Sequence, residues 1–237
     1  MRGLRPESNY LKLKIKHRQK EAGMSKSVYS IVLNDEVVDM VDKMARVNGV
    51  SRSLMIEKLL ATAVGYETPE SRINDILTEI ERLVTVGSDM RYLSKPSGYM
   101  ASIMSALSYR YNPAVKYSVE IFKNSDYLGR LKVTLRTQNP VLINMVSDFY
   151  TYYCYLEKTY YNENARTIFD GMKMTRLFNF PKVNVGSESL AALLTKYVQD
   201  FDELMNLYFL NVQKNADAAL KKVEQKFIEL KKGAIVI

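Results

Sequence analysis

Histidine and cysteine are almost missing from this 237-residue chain: His17 and Cys154 stand alone, and there is no tryptophan. A single cysteine excludes an internal disulfide. A single histidine leaves histidine-based metal sites and Ser-His or Cys-His nucleophile pairs without residues unless His17 itself serves. No GxGxxG or P-loop pattern occurs. No apolar run approaches the roughly eighteen residues needed to span a bilayer, and no basic-apolar-small leader opens the chain. The expectation is a soluble, cytoplasmic protein that is not an enzyme, with no catalytic residues, no metal, no cofactor and no membrane partner. The carboxylates Glu79 and Glu81, and Asp200 and Asp202, fall on polar helical stretches and read as solvated faces. Cys154, set among tyrosines, reads as a small buried hydrophobe.

Basic residues are present in excess, 34 against 26 acidic, giving a net charge of +8. The excess is uneven. Residues 1–24 hold seven basic side chains against two acidic, whereas residues 25–66 hold five of each. The first segment therefore reads as a basic arm, in which Lys12, Lys14, Lys16, Arg18 and Lys20 supply sequence-independent, salt-sensitive attraction to phosphate. A solvated tail is the plainer reading, and the alternation in residues 11–16 also fits a strand or a membrane-surface segment.

From Ser27 to Ala63 the pattern is a short strand, a helix, a turn and a second helix. Val28 to Leu33 is rich in β-branched and aromatic residues but too short to stand alone, so it needs a partner strand. Asn34 caps a helix whose first turn carries Asp35 and Glu36, matched to the positive helix end. Val37, Val38, Val41, Met44 and Ala45 form one apolar face. Gly49 stops this helix, and Ser51-Arg52-Ser53 opens the next, with Leu54, Met55, Leu59 and Ala63 facing inward.

The strand ending in Leu33, the capping Asn34 and the turn Asn48-Gly49-Val50-Ser51-Arg52-Ser53, at matching spacing over residues 26–62, resemble the ribbon-helix-helix family. This is the Arc, MetJ and CopG class of bacterial, plasmid and phage DNA-binding proteins. The resemblance implies an obligatory homodimer whose paired strands form an antiparallel ribbon in the DNA major groove. It places Tyr29, Ile31, Leu33, Val37, Val41, Met44 and Leu59 in the dimer core. It places Lys26, Val28, Ser30 and Val32 toward the bases and Ser51, Arg52 and Ser53 on phosphate. Valines at two groove-facing positions depart from the family pattern, since they offer thymine methyl contact but no hydrogen bond. A helix start with free N–H groups, two hydroxyls and a guanidinium is the stronger site physically.

Beyond residue 66, Pro69 opens a third helix with Ile73, Ile76, Leu77, Ile80, Leu83 and Val84 at helical spacing, read as part of a helical connector over residues 67–96. A further helix is expected through Tyr99, Ile103, Met104 and Leu107. Residues 115–123 and 131–136 alternate and predict a β-hairpin, with Lys116, Glu120, Lys132 and Arg136 pointing outward. Asn139-Pro140 starts another helix, which leads into a run of tyrosines, Tyr150, Tyr152, Tyr153, Tyr155, Tyr160 and Tyr161. They suit a core with amphipathic edges, and also a ligand pocket, a base-stacking platform or a protein interface. From Ser187 or Ser189 onward the spacing predicts one long helix, kinked or split at Asn215.

The fold class expected is thus mainly α with minor β. A basic arm (1–24) precedes a ribbon-helix-helix module (25–66), a helical connector (67–96) and an α+β domain (97–237) that binds a ligand or partner or holds oligomers together. Two functions follow from the resemblance. One is a transcriptional repressor binding double-stranded operator DNA as a dimer or dimer pair. The other is a plasmid or phage architectural or adaptor protein, for segregation or a relaxosome, that marks a DNA site and recruits a protein partner.

Overall fold

The computed structural model describes residues 29–87 and 89–237, so the basic arm, Lys26 and Val28 lie outside the described residues. The chain divides after Ile56 into two compact units, within the second helix and short of the boundary near residue 66 read from the sequence.

The first unit holds α1 (Asp35–Val47) and the start of α2 (Arg52–Ala63). Asn34 caps α1 by accepting the N–H of Glu36 at 2.9 Å. The turn out of α1 depends on Gly49, whose φ of +64° suits a residue without a Cβ. Residues 29–34 form no strand in the single chain. The physical reason is simple: a strand needs a neighbour for its backbone hydrogen bonds, and among the described residues no strand lies beside residues 29–34. The core of this unit is small, with Val41, Ala45 and Met55 buried and Val50 and Ile56 packed beside them.

The second unit is an α+β fold: a six-stranded antiparallel sheet with helices α3 (Pro69–Gly87), α4 (Pro140–Tyr160), α5 (Ser187–Val212) and α6 (Ala216–Lys231). The strands are β1 (Arg91–Ser97), β2 (Met100–Ala106), β3 (Ala114–Ile121), β4 (Gly129–Leu135), β5 (Arg166–Asp170) and β6 (Lys173–Phe178), in spatial order β1-β2-β3-β4-β6-β5. Alternation decides the faces. Val115, Tyr117, Val119 and Ile121 of β3 and Leu131, Val133 and Leu135 of β4 are buried in the same core as the apolar sides of the four helices. Tyr117 meets Phe201 of α5 edge to face, as Phe178 of β6 meets Tyr197.

Three sequence expectations change here. The helix expected through Tyr99, Ile103, Met104 and Leu107 is strand β2, paired residue for residue with β3 from Met100↔Glu120 to Ala106↔Ala114. Apolar residues three and four apart mimic a helical face there, but seven aligned cross-strand pairs give the backbone its partners. The single hairpin, β3–β4, is the centre of a larger sheet. The segment 67–96 is no separate connector: Ile73, Ile76, Leu77, Ile80 and Val84 of α3 belong to the main core, and β1 is an edge strand. The long C-terminal helix is split at Asn215, one of the two outcomes its sequence allows: the Asn215 side chain caps α6 by accepting the N–H of Ala218 at 2.9 Å. α6 then packs back along α5.

The tyrosine-rich face of α4 sorts by depth. Tyr150 and Tyr153 are fully buried, while Tyr152 and Tyr160 donate to Glu224 of α6 at 3.1 and 2.8 Å. Tyr155 is exposed.

Candidate nucleic-acid interface

The start of α2 brings Ser51, Arg52 and Ser53 together as the sequence predicts, all three exposed. Ser51 Oγ accepts the N–H of Leu54 at 3.3 Å, which caps the helix. The N–H groups of Arg52 and Ser53 have no intrahelical acceptor, as at any helix start. An anion seated there meets two N–H donors, the Ser53 hydroxyl and the positive end of the helix dipole.

Arg52 is not idle. Its guanidinium grips Asp42 of α1 with both ends of the fork, Nε reaching Oδ1 at 2.6 Å and Nη2 reaching Oδ2. The hydrogen bond from Arg52 is the main cause of an Asp42 carboxyl held below its ordinary range. Sequence reading passed over Asp42. Its signal was the ten-residue offset from Arg52, which one helix–turn–helix step closes into a contact. The pair fixes the turn, and a phosphate at the helix start competes with Asp42 for the same cation.

The residues assigned to a dimer core divide sharply. Val41 is buried inside the single chain, whereas Ile31, Leu33, Val37, Met44 and Leu59 are between 37% and 57% exposed and Tyr29 is more exposed still. Ser30 and Val32, the two described residues among those the resemblance turns toward bases, are exposed too.

No protein-family model, curated protein or solved structure matches the chain.

Among the described residues no group of three or more His, Cys, Asp or Glu side chains is placed to hold a metal. No helix of the described residues is long and apolar enough to cross a membrane. Burial pushes the Cys154 thiol up to about 11, so it is protonated and a poor nucleophile at neutral pH. An open depression of about 490 Å³ lies beside Tyr109, Arg110, Asn112, Phe209 and Lys214.

The expectation that Asp200 and Asp202 are solvated is corrected. Asp200 is buried and accepts from Lys231 Nζ at 2.8 Å. Asp202 accepts from Tyr117 Oη at 2.6 Å and from Ser105, and its burial raises its carboxyl pKa above the ordinary value. Both sit on the inward side of α5, where a carboxylate persists only with donors around it. A second buried pair, unsignalled in the sequence, joins Glu157 of α4 to Arg176 of β6 at 2.9 Å with both side chains fully enclosed.

Proposed function

We propose that the chain is a dimeric DNA-binding protein of the ribbon-helix-helix type, acting as a transcriptional repressor at operator DNA. The observation that carries this reading is the apolar surface of the first unit. A helix–turn–helix with three buried apolar residues leaves Ile31, Leu33, Val37 and Met44 largely in water. Burying the remaining half of each such side chain contributes about 1 kcal/mol. Counted over two chains together with Leu59, that is on the order of 10 kcal/mol, comparable with what association costs in lost freedom. A second copy supplies both the missing cover and the missing strand partner for residues 29–33. Ser51, Arg52 and Ser53 then lie exposed beside the ribbon to anchor phosphate, Lys26, Val28, Ser30 and Val32 face the bases, and the basic arm adds non-specific pull.

A second reading has its own support. The sheet unit from Glu57 to Ile237 has an extensive core of its own, more than a dimerisation tag needs. Together with Val28 and Val32, which read bases poorly, this favours an adaptor that marks a DNA site while the sheet unit engages a partner.

Sedimentation of the full chain with and without a Leu33→Asp, Met44→Asp change tests the dimer: the wild type sediments as a dimer and the variant as a monomer. Titration of operator-length duplex against salt tests the anchor. Arg52→Ala lowers affinity for every sequence and lowers the salt slope by about one, whereas Ser30→Ala alters sequence preference. A monomeric wild type, or equal binding by wild type and Arg52→Ala across the titration, overturns the assignment. Genome-wide occupancy separates the two roles, a single autoregulated promoter favouring repression and tandem sites near a plasmid origin favouring the adaptor.

A further inference from the structure

The sheet of the second unit buries one face, and on the other charged and hydroxyl side chains are interleaved with the apolar Met100, Met104, Ile168 and Leu177. On that second face the strand register sets Arg91, Lys116, Arg130, Lys132, Arg166 and Lys173 against two carboxylates, Glu120 and Asp170. Glu120 is already committed, bonded by Arg130 at 2.7 Å and Lys132 at 3.4 Å. Between the cations stand the hydroxyls of Ser94, Ser118 and Thr175, with the Ser102 side chain enclosed among them. No aromatic side chain occupies the alternating positions of this face.

We infer that this face is a second contact surface for double-stranded DNA, binding its phosphodiester backbone without reading bases. The inference rests on the DNA-binding reading above and adds a site to it. The charge selects the occupant. A second copy of the same face and the chain's own basic arm are both repelled by it, while a polyanion is attracted. No aromatic stands at the alternating positions of the face to offer the stacking platform that single strands use, and the rings beside it, Phe122 and Tyr127, lie under the guanidinium groups of Arg130 at 5.5 Å and Arg166 at 5.6 Å; cations interleaved with hydroxyls are the groups that bind phosphate oxygens. Six strands at 4.8 Å spacing span about 24 Å, over which a duplex carries on the order of fourteen phosphates.

The test uses the full chain and a random-sequence 30-base-pair duplex across a salt titration. It compares the wild type, Arg52→Ala, and a face variant combining Lys116→Ser, Lys132→Ser and Lys173→Ser. Removing three phosphate contacts lowers the slope of log affinity against log salt by about 2.7 and weakens binding on the order of a hundredfold at 0.1 M salt. On the wild type, the duplex protects the same three lysines from acetylation. Unchanged affinity and slope in the face variant, or full reactivity of those lysines in the complex, overturns the second surface. If Arg52→Ala still weakens binding in that case, the DNA-binding reading stands without it. A wild type that binds no duplex overturns both.

Discussion

Replacing Glu157 by glutamine keeps the shape of the side chain and removes its charge from the centre of the sheet unit. Arg176 then loses its one close counter-ion among the described residues. In the native chain Arg176 Nε donates to Glu157 Oε1 at 2.9 Å and Nη1 donates to the carbonyl of Leu177 at 2.8 Å. Tyr197 Oη donates to the same carboxylate oxygen at 2.7 Å. The guanidinium also lies 5.2 Å from the Phe178 ring and 5.1 Å from the Tyr197 ring. Those ring contacts are worth about 1–2 kcal/mol when desolvated and cannot replace a full charge. Both side chains are fully enclosed, so water cannot screen what remains. Breaking such a pair from one side costs about 3–5 kcal/mol. For a unit of this size each kcal/mol shifts the midpoint by about 2–4 °C, so Tm falls by roughly 6–20 °C. Arg176→Met leaves the carboxylate stranded and falls by a similar amount. The double change Glu157→Leu with Arg176→Met removes both charges and returns to within about 1 kcal/mol of wild type or above it. Urea unfolding followed by near-ultraviolet circular dichroism reads all four proteins. Glu157→Gln within about 1 kcal/mol of wild type, or a double variant weaker than both singles, refutes the reasoning.

Alkaline pH gives an independent check, because burial holds the hydroxyls of Tyr117, Tyr150, Tyr153 and Tyr197 above their ordinary value of 10.0. The native chain therefore keeps protons that the unfolded chain releases, and stability falls as pH rises past 10, by up to about 1.4 kcal/mol per pH unit for each group and about 5 for the four. Lys231, held below 10.5 by burial, opposes this with one group only and only up to 10.5; a urea midpoint that stays level from pH 9 to 11 contradicts the prediction. Gly129→Ala places a Cβ 2.2 Å from the carbonyl oxygen of Glu120 across the β3–β4 pair, so the strands must part. The expected loss is about 3 kcal/mol in the same assay, and a loss under about 0.5 kcal/mol counts against that close approach. Asp42→Asn frees the Arg52 fork and removes a negative charge beside the helix start, so duplex affinity at 0.1 M salt rises roughly threefold to tenfold; weaker binding shows instead that Asp42 positions Arg52 for its phosphate.

Local chemistry was readable where one or two residues decide the backbone. Asn34, Gly49, Asn139-Pro140 and Asn215 each mark a helix start or stop that the structure places at that residue. The hairpin was readable because β3 and β4 alternate over their whole length. β2 was not, since Met100-Ala101-Ser102-Ile103-Met104 carries apolar residues on both faces and its identity as a strand comes from the partner β3. β5 and β6 went unread for a related reason. An arginine stands at an inward position of β6, and Ile168 of β5 points outward and is exposed. Buried charge is nearly invisible in a single sequence. Asp200, Glu157 and Arg176 look like surface residues until the packing of helix on sheet encloses them with their partners. In the first unit the reverse holds: Ser51-Arg52-Ser53 was legible, but the Asp42 carboxylate in its fork follows from the angle between two helices.

The two units differ in what stabilises them, and that difference bears on function. The sheet unit closes its own core around two buried ion pairs, Glu157–Arg176 and Asp200–Lys231. The first unit buries three apolar side chains and leaves residues 29–33 exposed. On the proposed reading it gains its stability from a second copy, so dimer formation and assembly of the reading surface are one event. Residues 25–66 hold equal numbers of acidic and basic groups, so little non-specific attraction arises there. On that reading the pull toward phosphate is divided between the basic arm and the outer sheet face, while the paired strands and the α2 start set register. A protein so arranged loses most of its affinity with rising salt yet keeps its sequence preference, because the terms that salt weakens are not the ones that discriminate between sites.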